Sequence, residues 1–161
     1  GTTSRGLGDV YKRQDITITT GSLEIKNGAI IGAGTSGKGN AGSLNINATD
    51  TVSIDGENST FFTGVSSLVS PGAEGNGSNI NITTRSVTAQ NEAQISASTY
   101  SKGDAGNVDI RATELEVKDN AKISAETIRS GEGGNIIINT PDTLNITGNG
   151  EITVNLSLIH I

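Results

Sequence analysis

The phrase "GDAGNVDI" at 103–110 returns along the chain as "GNAGSLNI" at 39–46, "GNGSNINI" at 75–82 and "GEGGNIII" at 131–138. A glycine-rich corner followed by an alternating apolar pair is therefore a repeat, and a repeat constrains the fold more than any composition figure. The first apolar pairs are Ile16/Ile18, Leu44/Ile46, Ile80/Ile82, Val108/Ile110 and Ile136/Ile138, at steps of 28, 36, 28 and 28 residues. A second pair follows seven or eight residues later: Leu23/Ile25, Val52/Ile54, Val87/Ala89, Leu115/Val117 and Leu144/Ile146. A third short segment lies at 28–33, 92–98, 120–126 and 149–154, which puts Ile31, Ile95, Ile123 and Ile152 at equivalent places.

Apolar residues two apart line one face of a strand, because successive side chains point to opposite sides. No 3.6-residue period lasts two turns, and β-branched residues dominate, so helices are not expected. Three short strands joined by corners, repeated about every 28 residues, predict one circuit of a coil. The expected fold is all-β: a right-handed parallel β-helix, a solenoid of about five turns starting near 16, 44, 80, 108 and 136. A lone turn buries too little apolar surface to offset the entropy of ordering its residues, so the turns must stack. Glycine at the corners allows positive φ and close backbone approach. Ala33, Ala97 and Ala125 are expected to pack inward near the third corner, and outward Asn and Thr to form ladders along the coil.

The second turn carries eight extra residues, placed by this reading within 55–77. Its stretch "STFFTGVSSLVSPGAEG" (59–75) reads as an extended corner loop with its own apolar anchor. Loops of this kind carry function on solenoids, so Phe61, Phe62, Val65, Leu68 and Val69 are the candidate partner-contacting residues.

Residues 4–14, "SRGLGDVYKRQ", and 156–161, "LSLIHI", resemble the translated ends of a transposon adapter used in shotgun library preparation. That resemblance implies that 1–14 and 156–161 are not native and that 15–155 is a single β-helix from a metagenomic gene fragment. Tyr11, Lys12, Arg13 and the only histidine, His160, then carry no chemistry. Setting aside Arg5, Asp9, Lys12 and Arg13 from 11 basic and 17 acidic residues leaves 8 against 16, a net of about −8. Such a balance disfavours nucleic acid and anionic membrane surfaces as partners. No run of 18 apolar residues exists, so no membrane insertion is expected. The absence of cysteine excludes disulfides and thiolate metal sites.

Apparent motifs fail on context. "GKGNAG" (37–42) fits G-x-G-x-x-G, and "GAGTSGK" (32–38) approaches a phosphate loop. Both need a following helix N-terminus, and a strand is expected instead. Asp109 aligns with Thr17, Asn45, Asn81 and Ile137, so no acidic ladder for calcium recurs, although Asp104 could hold a single corner ion. Glu114 and Glu116 are the nearest carboxylate pair, and the outward positions beside them are otherwise mixed. Only "ITITT" (16–20) resembles an ice-binding threonine row. No catalytic, cofactor-binding or metal residue is assigned.

The repeats "GKGNAGSLNINA" (37–48) and "GDAGNVDIRATELEVKDNAKISAET" (103–127) resemble the passenger β-helix of filamentous haemagglutinin-like, two-partner-secreted exoproteins, particularly the large surface proteins of cyanobacteria. The resemblance covers essentially all of 15–155. It implies export through an outer-membrane transporter, an extracellular or surface-displayed rod, and host or neighbouring cell-surface glycans or proteins as partners. The expected function is structural and adhesive, not enzymatic. Two alternatives stand beside it: part of a β-helical polysaccharide lyase or hydrolase with its active site elsewhere, or a biofilm or surface-layer matrix component.

Overall fold

The computed structural model describes residues 15–154; the two stretches read as adapter-derived, with Asn155, lie outside the described residues. The described residues form strands and connections only, with no helix among them. Five strands follow the order β1(Ile16–Lys26), β3(Leu44–Asp55), β5(Ile80–Gln90), β7(Val108–Lys118) and β10(Thr143–Thr147), with β9(Ile136–Asn139) also pairing with β7. The second sheet stacks β2(Ile30–Gly32), β4(Gly64–Ser66), β6(Gln94–Ser96), β8(Lys122–Ser124) and β11(Glu151–Thr153). Every strand pairing is parallel. The chain is a parallel β-solenoid of about five turns, as the repeat predicts.

The register is the one the apolar pattern requires. Ile18 pairs with Ile46, Ile46 with Ile82, Ile82 with Ile110 and Ile110 with Ile138. A one-residue slip would turn each of these side chains out to solvent. Ala33, Ala97 and Ala125 are buried, as expected.

Three details depart from the sequence reading. First, the first two expected strands of a turn are one continuous strand in β1, β3, β5 and β7, bent at a register irregularity near its middle in β1 and β3. In β3 the buried positions run Leu44, Ile46, Ala48, then Val52 and Ile54, with Thr49 and Asp50 exposed at the bend. Second, the eight extra residues of the second turn are split among three corners. Register partners place one at the 48–52 bend, where β5 passes from Thr84 to Val87. Five more fall between Ile54 and Val65 and two between Val69 and Glu74. Those last two make room for a type II turn, Ser70–Pro71–Gly72–Ala73. Gly72 has φ 84° and the Ala73 N–H donates to Ser70 O at 3.0 Å. Third, the second turn has its own third strand, β4, hidden in the stretch read as loop.

The corners show why the glycine-rich phrase recurs. Asn76 Oδ1 accepts the Asp104 N–H at 2.9 Å, and Asp104 Oδ1 accepts the Glu132 N–H at 2.8 Å. Three positions on, Asn79 Oδ1 takes the Asn107 N–H at 3.1 Å and Asn107 Oδ1 the Asn135 N–H at 2.9 Å. The Asn and Asp of each corner thus satisfy backbone donors of the next turn, where the corner offers no strand partner. At the other corner, Asn27 (φ 56°) and Gly28 (φ 83°) make a two-residue left-handed turn closed by Ala29 N–H to Lys26 O at 3.1 Å. The same turn recurs at Asn91–Glu92, Asp119–Asn120 and Gly148–Asn149.

Candidate functional site

The outer face of the short-strand sheet is where side-chain chemistry concentrates. Ile31, Val65, Ile95, Ile123 and Ile152 pair in register and point inward, so their neighbours face out. Across the turns those neighbours read Ile30, Gly64, Gln94, Lys122, Glu151 on one row and Gly32, Ser66, Ser96, Ser124, Thr153 on the next. The face is apolar in the first turn, hydroxyl-bearing from Ser66 onward and charged further on, where Lys122 Nζ lies 3.0 Å from Glu126 Oε1.

The middle is closed on itself. Ser124 Oγ donates to Ser96 Oγ at 3.2 Å, Ser96 Oγ lies 2.8 Å from Ser98 Oγ, and the Glu126 N–H donates to Ser98 Oγ at 3.3 Å. Ser66 occupies the same row one turn earlier and breaks the pattern. It is 8% exposed, and its hydroxyl has no hydrogen-bond partner among the described residues. Ser66 instead lines a concave groove of about 440 Å³ together with Ile30, Gly32, Gly34, Phe62 and Leu68. No lining residue of this groove carries a charge.

The candidate partner-contacting residues separate in the structure. Phe61 is 79% exposed, and Phe62 and Leu68 are half-buried walls of the groove. Val65 and Val69 correct the loop reading. Val65 is fully buried in β4, paired with Ile31 and Ile95. Val69 is fully buried between Thr35 and Thr99 and packs with Ala41 and Ala73. Both are wall residues because they fall on the inward phase of the coil. The signal was present: "GVS" (64–66) matches "QIS" (94–96) and "KIS" (122–124). The groove residues Ile30, Gly32 and Ser66 escaped sequence reasoning because outward positions of β2 and β4 have no meaning until β4 is recognised.

The other candidates have local roles. Glu114 and Glu116 line a shallow recess of about 270 Å³ with Thr88, Thr143 and Asn145, and Glu116 lies 3.5 Å from Lys118 Nζ. The Asp104 carboxylate belongs to the corner ladder described above. Gly37, Gly39 and Gly42 lead into the strand β3, so no helix N-terminus faces them. Asn81 Nδ2 donates to Asn45 Oδ1 at 2.9 Å, a rung of the expected outward ladder. Asp55 is a heavily engaged carboxylate. It accepts from Asn91 Nδ2, Gln90 Nε2 and the Glu57 N–H at 2.9, 2.8 and 2.8 Å. The Asn91 contact above all holds its carboxyl below the ordinary aspartate range, against a smaller opposing effect of burial.

Fold and face together define a repeat protein of the parallel β-solenoid class. No family model, no curated protein and no solved structure matches the chain. Among the described residues, no helix is long and apolar enough to cross a membrane.

Proposed function

We propose that the chain serves as a structural and adhesive extracellular rod of the filamentous haemagglutinin-like, two-partner-secreted kind, without catalysis. The observation that carries this reading is the in-register pairing of equivalent apolar residues, Ile18, Ile46, Ile82, Ile110 and Ile138, over successive turns. Parallel turns repeat at about 4.8 Å, so length is gained by adding turns and the outer faces change gradually along the axis. A rod of this kind presents extended surfaces to large partners. The repeat phrases at 37–48 and 103–127 support the family likeness, and export through an outer-membrane transporter follows from that likeness alone. The partners proposed are glycans or proteins on host or neighbouring cells.

The test pairs two assays on the purified chain. One measures retention on bacterial and host cell surfaces. The other measures chain cleavage of acidic polysaccharides such as polygalacturonate. Surface retention without cleavage is the expected result. Cleavage of any polysaccharide would replace the rod with the lyase or hydrolase reading.

A further inference from the structure

We infer that the groove over the first two turns is a binding site for a neutral sugar unit. The inference rests on the adhesive reading and gives it a place and a ligand class. Five observations converge. Its volume, about 440 Å³, falls within the roughly 300–1,000 Å³ range of small-molecule sites. Its walls combine an aromatic ring, Phe62, with the aliphatic side chains of Ile30 and Leu68. A pyranose has an apolar C–H face that packs on such a ring and a rim of hydroxyls that needs polar partners.

Ser66 supplies the polar partner. Its counterparts Ser96 and Ser124 are bonded to one another, whereas Ser66 makes no side-chain hydrogen bond among the described residues and its hydroxyl meets solvent in the groove. A ligand hydroxyl seated in the groove would take the place of water on this oxygen, an exchange that fixes the ligand's orientation.

Gly32 supplies the room. A Cβ there would meet nothing closer than Ile30 Cγ2 at 3.5 Å and Ser66 O at 3.6 Å. Gly32 is not among the positive-φ glycines either. Packing and backbone geometry therefore do not demand glycine at 32, and its effect is to leave the groove floor bare. At Gly34, by contrast, a Cβ would lie 2.5 Å from Leu68 O, so that glycine serves the stack.

Charge selects the ligand class. With no Lys, Arg, Asp or Glu in the lining, the groove offers nothing to pair with an acidic sugar, a phosphate or a cationic peptide. An extended peptide cannot add to these strands from the face. Their backbone groups are already bonded along the stack, as with Ala33 N–H to Ser66 O at 3.0 Å and Thr35 N–H to Leu68 O at 2.9 Å.

The experiment titrates the full chain with cellotetraose, maltotetraose, mannotetraose and, as the charged counterpart, tetragalacturonate, by calorimetry. The variants are Gly32→Leu, which fills the groove, Phe62→Ala, which removes its ring, and Ser66→Ala. At least one neutral tetrasaccharide binds, and Gly32→Leu and Phe62→Ala each weaken it by about tenfold or more. Gly32→Leu leaves the melting temperature within about 2 °C of the parent, and tetragalacturonate does not bind. The inference is overturned if no neutral sugar binds, if binding survives Gly32→Leu, or if only the acidic sugar binds. It is equally overturned if Gly32→Leu changes the sedimentation of the chain, which would mark the groove as a contact between copies. Retention on cell surfaces by a chain that binds no neutral sugar would sink this site and leave the adhesive reading standing. Loss of both would sink the two together.

Discussion

Gly106 sits against the preceding turn so closely that a Cβ would collide with the carbonyl oxygen of Ser78, a backbone atom with no freedom to move aside. Gly37 faces open space. Gly106→Ala should therefore lower stability by about 2–3 kcal/mol, while Gly37→Ala changes it by less than about 1 kcal/mol. Urea midpoints of the two variants decide the matter, and equal midpoints would refute the claim that stacking distance selects glycine. The repeat in the sequence marks both kinds of glycine alike. Only register shows that 106 is set by space and Gly103, at φ 131°, by backbone conformation as well. A second residue-scale prediction concerns Asp55. Its folded-state pKa is depressed, chiefly by Asn91, so its contribution to stability is present above the unfolded aspartate pKa and fades as pH falls through the folded one. Asp55→Asn should then be less stable than the parent at about pH 6, with the gap closing towards about pH 3. A gap that stays constant over that range would show that the Asn91, Gln90 and Glu57 contacts do not act through the charge.

At the scale of the element, the long strands explain both what the sequence revealed and what it concealed. Alternation over β3, β5 and β7 is readable because each has neighbours on both sides and a dry inner face. Ile110 is fully buried between Ile82 and Ile138, whereas Ile138 is only half-buried. Ile110→Ala should cost about 3–4 kcal/mol and Ile138→Ala about half as much or less, read from chemical denaturation. Equal losses would mean that burial by the turns above and below does not set the strength of the core. Corners were less legible, because a solenoid absorbs insertions there without disturbing the ladder. Five extra residues between Ile54 and Val65 move β4 out of the expected spacing, and the adjoining pair Phe61 and Phe62 draws attention to the wrong segment. The groove was therefore legible only at Phe62 and Leu68. Ile30, Gly32 and Ser66 become a surface once β2 and β4 are paired.

For the molecule as a whole, each long strand contacts its sequence-repeat neighbours and little else, so cooperativity runs along one axis. Among the described residues, β1 has β3 on one side only and β10 has β7 on one side only, whereas β3, β5 and β7 are held from both sides. Leu144 and Ile146 in β10 are each 45% exposed, while their register partners Leu115 and Val117 are buried. Local opening free energy follows such differences in burial and hydrogen bonding. Amide exchange should be slowest in β5 and its two neighbours and should quicken step by step towards β1 and β10. Gly106→Ala should deepen the contrast, speeding exchange in β5 and β7, whose stacked leading corners at Ser78 and Gly106 it forces apart, more than in β1. Exchange followed by mass spectrometry on proteolytic fragments resolves these strands separately. A uniform rate across all five would show that the stack opens only as one unit. Stability would then be a property of the whole rod, the nearest-neighbour account would fail, and a strained corner would weaken distant turns as much as adjacent ones.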